Sequence, residues 1–430
     1  MPPQIDPAHL DPETSPDGAI ITTPTGWLID AQGNRFSLVR SADKGLQIRI
    51  NAFVDGVTEN VRMLLMDGGR CYQNNHAGDW YGYNGQPGAW EGPLARPSPP
   101  DPPKPPDTTG VFGVKNGRIV DPNGDVWHAR GINLRFMNWP DNQNSVMHHA
   151  IGDRDECTPV LATFPGLNCI RFDAFESMAQ FGQAQPDAIC PYIDSLVAQG
   201  VVVEVECHVF PQVLQGSDLD QVCAWYTELA TRYLDTPNVI WGTQNEPGGP
   251  PDNSIRRIYQ AIRATGNNNL ILLCPNGGWT WQDMNPANYT DMFGVAWDFH
   301  FYGWLPNYSQ DQHVVDRKLQ EMIDTGASFV SQDGPIPSVV AEFSPAGFQG
   351  SNAIFVENQF WVDPNWVQVL QAVYRSKTLC GWVQWYWNTP ETTASNGIGH
   401  LLKLPNLDGS SLTQHGGDEC RSAIAAGPPQ

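Results

Sequence analysis

A chain of 430 residues is long enough for more than one hydrophobic core. Forty-six acidic residues against 24 basic ones leave a formal charge of −22, an anionic field that repels phosphate backbones and acidic lipid and so argues against nucleic-acid and membrane partners. Only 16% of residues are charged while 16 are Trp and 12 Tyr, a flat, neutral, hydrogen-bonding surface that suits an uncharged polyhydroxylated ligand, a carbohydrate.

Residues 1–15 read as a tail. The start, Met1-Pro-Pro-Gln-Ile-Asp-Pro, has neither a basic flank nor an apolar core, so it is not an intact signal peptide. No run anywhere reaches the ~18 apolar residues of a membrane span. Residues 16–92 carry short strand-like runs separated by turn residues: Trp27-Leu-Ile, Leu46-Gln-Ile-Arg-Ile and Val61-Arg-Met-Leu-Leu. With no long 3.6-residue period among them, they predict a small antiparallel β module. Its last aromatics, Trp80, Tyr81, Tyr83 and Trp90, form either a sugar-stacking face or part of the core. Gly26-Trp-Leu-Ile-Asp-Ala-Gln-Gly-Asn-Arg-Phe36 is echoed by Gly117-Arg-Ile-Val-Asp-Pro-Asn-Gly-Asp-Val-Trp127, which predicts two hairpins of one turn chemistry and not a duplicated domain.

Residues 93–110 form the next division. Seven of the ten residues 97–106 are proline, a composition that favours an extended, semi-rigid spacer over any sheet or helix. Residues 111–425 make up the second body. Strands are predicted near 128–136, 168–174, 201–209, 239–246, 270–275, 295–302, 338–343 and 381–387. Helices are predicted at 187–199, 219–234, 254–264, 314–324 and 366–374. Continuous apolar runs such as Val201-Val-Val mark strands covered on both faces. Eight such βα repeats fit an α/β fold, the (β/α)8 barrel, and an open doubly wound sheet shares the alternation. GxGxxG, GxxxxGK[ST] and GxSxG are all absent, which removes the common dinucleotide, nucleotide and serine-hydrolase readings.

Nine cysteines lie without CxxC or Cys/His zinc spacing, so neither a metal nor another cofactor is expected. The odd number leaves at least one thiol unpaired in a monomer, the expected state. Composition and inferred ligand favour a secreted or periplasmic protein.

Polar residues gather at the C-terminal ends of the predicted strands: Asn133, Arg171, His208, Asn245, Glu246, His300, Tyr302, Glu342 and Trp385. In a barrel those ends open on one face, where reacting groups belong. Glycoside cleavage needs two carboxyl groups in opposite protonation states, and Glu246 and Glu342 stand at the ends of strands 4 and 7.

At this point the chain resembles glycoside hydrolase family 5, over residues 111–400, with a small N-terminal β module of the kind appended to bacterial glycosidases. The motifs are Ile170-Arg171, Cys207-His208, Val239-Ile-Trp-Gly-Thr-Gln-Asn-Glu-Pro247, His300-Phe-Tyr302, Val340-Ala-Glu-Phe343 and Gly381-Trp-Val-Gln-Trp385. The resemblance implies that Glu246 is the acid/base and Glu342 the nucleophile of a retaining endo-β-glycosidase, a cellulase acting on β-1,4-glucan. An endo-β-1,4-mannanase and a catalytically silent carbohydrate-binding barrel are the alternatives. Arg171 and Tyr302 should hold Glu342 ionised. Glu246 should lie further from cations, among negative neighbours. Asn245 should meet the sugar 2-hydroxyl, His208 and His300 should position substrate and acid/base, and Trp385 should floor the cleavage point. Trp139, Trp279, Trp281 and Trp304 follow strand ends and are candidates for further sugar sites. Two departures stand out: Glu206 occupies a position where many members carry Asp, with Glu204 on the same face, and Ser344 stands where glycine is common. Two acids inside a barrel require a buried ion-pair network.

Overall fold

The computed structural model describes residues 14–15, 17–22, 24, 26–86, 88–97, 109–136, 157–303, 305, 309–344, 354–356, 359–362, 367–387 and 417–429. The tail before residue 14, the proline-dense stretch 98–108, Trp139 and Trp304 lie outside them.

Eight parallel strands close into a barrel in sequence order: β1 (Ala129–Arg135), β2 (Cys169–Asp173), β3 (Val202–Cys207), β4 (Val239–Gln244), β5 (Ile271–Leu273), β6 (Val295–Phe301), β7 (Ser338–Phe343) and β8 (Gly381–Trp387). Closure is made by β8 pairing with β1, Ala129 against Gly381. Of the two arrangements that share the βα alternation, the expected closed barrel is the one formed. Each predicted strand lies where its apolar run placed it. Helices follow: α1 (Cys157–Thr163), α2 (Pro186–Ala198), α3 (Gly216–Arg232), α4 (Asp252–Arg263), α5 (Gln312–Ala327), α6 (Val367–Arg375) and α7 (Glu419–Ala426). The first and last of these escaped the sequence reading, since neither exceeds eight residues and so neither shows a full helical period.

A hairpin of Gly113–Lys115 and Arg118–Val120 plugs the floor. Phe112, Val114 and Ile119 pack there with Ala129, Cys169, Val202, Ile240, Leu270 and Val339, residues at or beside the beginnings of six barrel strands. The apolar seal occupies the N-terminal end and leaves the polar residues at the other, the division typical of this architecture.

The N-terminal module has two antiparallel sheets. One orders Ile20–Ile21, Val61–Asp67, Arg70–Asn75, Trp80–Tyr83 and Trp90–Leu94; the other Leu28–Ile29, Arg35–Ser41, Gly45–Ile50 and Phe53–Val54. Leu28, Phe36, Leu38, Ile48, Leu64, Met66 and Tyr83 fill the space between them. The aromatics divide toward packing. Tyr83 lies edge-on to Phe36 with centroids 4.9 Å apart. Trp90 packs on Tyr83 at 5.4 Å and donates its indole N–H to Asp55 Oδ2 at 2.8 Å. Trp80 is buried, and Tyr81 is half-buried.

This compact unit also takes in Asp283–Phe293 and Phe329–Gln332, which the sequence reading gave to the second body. The reason is local. Asn285 Oδ1 accepts from Trp27 N at 3.1 Å while its amide donates to Trp27 O at 2.6 Å, so one side chain imitates a strand partner. Ala287 joins the apolar cluster.

The two echoed turns share one hydrogen-bond pattern. Asp30 Oδ1 accepts from the backbone of Gln32 and Asn34; Asp121 Oδ1 accepts from Asn123 and Asp125. Gly33 (φ 79°) and Gly124 (φ 86°) occupy the left-handed position that each turn needs.

Cys71, Cys169, Cys190, Cys207, Cys223, Cys274, Cys380 and Cys420 are free thiols. Burial pushes the thiols of Cys71, Cys169, Cys207, Cys274 and Cys420 up, which keeps them protonated and unreactive. Among the described residues no helix is long and apolar enough to cross a membrane.

Candidate active site

Strand register sets the site. Asn133 on β1 pairs with Arg171 on β2, Arg171 with Glu204 on β3, and His300 on β6 with Glu342 on β7. Alternation then turns Arg171 with Asp173, Glu204 with Glu206, and Asp298 with His300 into the barrel together.

Arg171 is fully buried and organises the centre. Its Nη1 donates to Glu342 Oε1 at 2.7 Å and Asn133 Oδ1 at 2.9 Å. Its Nη2 donates to Glu206 Oε2 at 2.7 Å and Asn245 Oδ1 at 2.9 Å. Asp173, Glu204 and Asp298 lie at 3.6, 3.8 and 3.3 Å from the same guanidinium. The ion-pair network expected around Glu204 and Glu206 is present. Burial works against the charge on Arg171, but Asp298, Glu206, Glu342 and Asp173 outweigh it and hold the proton more firmly.

The two glutamates occupy unlike settings. Glu342, with a side chain 5% exposed, accepts from Arg171 and, through Oε2, from the Tyr302 hydroxyl at 2.8 Å. Burial alone would raise its carboxyl; His300, Arg171 and His208 reverse that and hold it below the usual range. Glu246 lies at the rim, its side chain 20% exposed. Its φ of +33° is a strained value for a residue with a side chain. The turned backbone breaks strand alternation, so Asn245 and Glu246 both reach the site. An oxygen of Glu246, one of Glu342 and a ring nitrogen of His300 all lie within 4.8 Å of one another.

One expectation fails here. Glu246 does not lie apart from cationic groups: its Oε1 is 2.6 Å from His300 Nδ1. Although burial disfavours the imidazolium, Glu342, Asp298 and Glu246 raise the His300 pKa to about 10. The contact itself matches the expectation that His300 meets the acid/base glutamate; what differs is the charge that His300 carries there.

His208 Nδ1 lies 2.5 Å from Glu206 Oε1. Burial opposes its charge, yet Asp173 and Glu206 raise its pKa to about 10. Its ring stacks on Trp385, centroids 5.4 Å apart and planes 13° apart. All nine strand-end residues singled out from the sequence thus meet in one centre: Asn133, Arg171, His208, Asn245, Glu246, His300, Tyr302, Glu342 and Trp385. The outer tryptophans differ. Trp281 is buried against Trp297 and Phe299, whereas Trp279 is 48% exposed.

Sequence reasoning missed Gly278, Asp173 and Asp298. Gly278 has φ +77°, and a Cβ there would stand 2.7 Å from His300 Nδ1 and 2.8 Å from Glu246 Cγ. Its carbonyl accepts the His300 backbone N–H at 2.7 Å. The signal for the two aspartates was alternation from Arg171 and His300; Gly278 left none.

The sequence matches the profile of Cellulase (glycosyl hydrolase family 5) over residues 163–390, more than half of the chain. It is 26% identical over 273 residues to Endoglucanase 5 of Pectobacterium carotovorum subsp. carotovorum, covering 60% of this chain and 48% of that one. It is 25% identical over 273 residues to Endoglucanase N of Pectobacterium atrosepticum, covering 60% and 55%. The chain spans about half the length of these curated relatives. The crystal structure of the catalytic domain of a Thermobifida fusca endoglucanase has the same fold, with a TM-score of 0.53 at 19% identity over 75% of this chain and 99% of that one. Because the profile match runs through the strands that carry Arg171, Glu246 and Glu342, the chain belongs to glycoside hydrolase family 5.

Proposed function

We propose that the barrel hydrolyses β-linked polysaccharide as a retaining endo-β-glycosidase, with β-1,4-glucan as the substrate. The observation that carries this reading is the contrast between the two glutamates. Glu342, held as the anion by Arg171 and Tyr302, attacks the anomeric carbon. Glu246, at the rim, gives a proton to the departing glycosidic oxygen. Water then cleaves the glycosyl–Glu342 ester, and Glu246 takes a proton from it. Oxygens within 4.8 Å support direct attack, because an inverting pair stands ~6.5–9.5 Å apart to admit water.

Asn245 Oδ1 accepts from Arg171, which leaves the amide N–H groups for the sugar 2-hydroxyl. Tyr302 stays a phenol, since burial and the nearby Glu342 and Glu246 raise its pKa. The endoglucanase relatives favour glucan over mannan. A polymer too large to cross a membrane puts the site of action outside the cytoplasm, and the reading requires neither metal nor partner chain.

Reducing-sugar release on carboxymethyl cellulose, mannan, xylan and mixed-linkage glucan tests the substrate, with the two glucans expected to be cut. Preference for mannan would make the protein a mannanase, and inactivity on all four would leave a binding barrel. Proton NMR of the first product should show the β-anomer. Initial release of the α-anomer refutes the double displacement.

A further inference from the structure

Beneath the two glutamates lies a second pair of carboxyl groups that the reaction just described does not use. Glu204 on β3 and Asp298 on β6 both have side chains with no exposure. No contact to their four oxygens has the geometry of a hydrogen bond, although Arg171 Nε lies 3.3 Å and His300 Nε2 3.4 Å from Asp298. An oxygen from each, together with one from Glu206, falls within 4.8 Å. Room for the pair comes from β4: a Cβ on Gly242 would stand 2.7 Å from Glu204 Oε1.

Charge counting shows what the pair must do. Arg171, His208 and His300 supply three positive charges when both rings are protonated. Asp173, Glu204, Glu206, Asp298 and Glu342 would supply five negative ones. Two uncompensated charges in a dry interior are prohibitively expensive, so carboxyl groups there retain protons. Glu204 is the foremost candidate. Burial first, then the neighbouring Asp298, pushes its carboxyl well up despite Arg171. Asp298 goes the other way: burial is outweighed by Arg171, by His300 and by the hydrogen bond from Glu204, so it stays an anion. A proton on Glu204 shared with Asp298 gives the pair a hydrogen bond of its own, where Arg171 Nε and His300 Nε2 stand 3.3 and 3.4 Å from the Asp298 oxygens.

Asp298 Oδ1 is 3.4 Å from His300 Nε2, and His300 Nδ1 is 2.6 Å from Glu246 Oε1. We propose that Glu204 and Asp298, neither placed to touch substrate, are positioning residues that fix the charge and tautomer of His300 and so keep on the His300–Glu246 couple the proton that Glu246 delivers. This inference rests on the proposed role of Glu246. With Nε2 facing Asp298 Oδ1 at 3.4 Å and its proton retained there, the proton on Nδ1 crosses one hydrogen bond to Glu246 Oε1. His300 becomes neutral and Glu246 becomes the acid. The other groups facing His300 are Glu342 Oε2 at 3.5 Å from Nδ1 and the Cys274 thiol. The first also favours the imidazolium; burial keeps the second neutral.

The test is Asp298→Asn, which keeps an oxygen for Nε2–H and removes only the charge, beside Glu204→Gln, which keeps a donor to Asp298. An ionised neighbour this close shifts a pKa by about 1–3 units. The alkaline limb of kcat/KM should therefore move down by about 1–3 pH units in Asp298→Asn, and stay in place in Glu204→Gln. Independently of substrate, 15N NMR of the ring nitrogens, with His300 assigned by its absence in His300→Gln, should show the wild-type imidazolium persisting above neutral pH. In Asp298→Asn it should lose its proton at lower pH by the same margin. A wild-type His300 already neutral at pH 6 overturns the proposal without any variant. So does an unmoved alkaline limb in a folded Asp298→Asn, or a limb that moves equally in Glu204→Gln. If the NMR pattern holds and no glycan is cut, the proton-sharing arrangement stands and the glycosidase reading falls.

Discussion

Replacing Arg171 by Met removes the one guanidinium shared by the nucleophile and the buried acids. The side chain makes four hydrogen bonds of 2.7–2.9 Å, two of them to carboxylates, and has no exposure through which water could compensate. Breaking a buried ion pair by deleting one partner costs about 3–5 kcal/mol, because the other charge is left unpaired. Five carboxyl groups lie within 3.8 Å of this one cation, so the upper end of that range applies. Without Arg171 the acids have raised folded-state pKa values, so they bind protons more tightly folded than unfolded. The variant's stability should then fall as pH rises above the ordinary carboxylate range, and its deficit should be larger at pH 7 than at pH 4.5. Urea unfolding followed by tryptophan fluorescence at both pH values measures it. A deficit below about 1 kcal/mol, the size of a surface pair, or one equal at the two pH values, refutes the reasoning.

Glu342→Gln should nearly abolish turnover on every substrate. Glu246→Ala should retain the first step on an aryl glycoside with an activated leaving group, which departs unprotonated; equal losses in stopped-flow release of the phenol would mean the roles are misassigned. Gly278→Ala should lower kcat by on the order of 10²-fold, the loss that a misplacement of about 1 Å brings, because the added carbon displaces the Glu246–His300 contact; unchanged kcat in a folded variant would show that the contact is dispensable. His208, with its folded-state pKa raised to about 10, contributes stability that is complete below its unfolded value near 6.5 and is lost as pH rises to about 10. Thermal unfolding from pH 6 to 10 should fall steeply in the wild type and less steeply in His208→Gln.

Sequence by itself marked the eight βα repeats, which fit the barrel, and the strand-end residues proposed to react. Apolar runs such as Val201-Val-Val mark strands covered on both sides, and a strand-end residue in a barrel can face only one mouth. The eight strands and the convergence of Arg171, Glu246 and Glu342 were therefore legible before any coordinates. So were both hairpin turns, since an Asp followed three residues later by Gly specifies its own local hydrogen bonds.

Tertiary structure decided what depends on distance across the barrel. Whether Tyr83 and Trp90 stack on a ligand or pack on Phe36 is not encoded in their spacing, because both outcomes demand aromatic residues. The Asn285 contact to Trp27 joins positions 258 residues apart, beyond any local pattern. The resemblance set His300 beside the acid/base, but the geometry that permits the contact, the positive φ of Glu246 and the missing side chain of Gly278, left no sequence signal. Protonation is decided last of all. Glu204 and Asp298 are each one carboxyl group in the sequence, and only burial beside Arg171 and His300 makes one of them an acid and the other an anion.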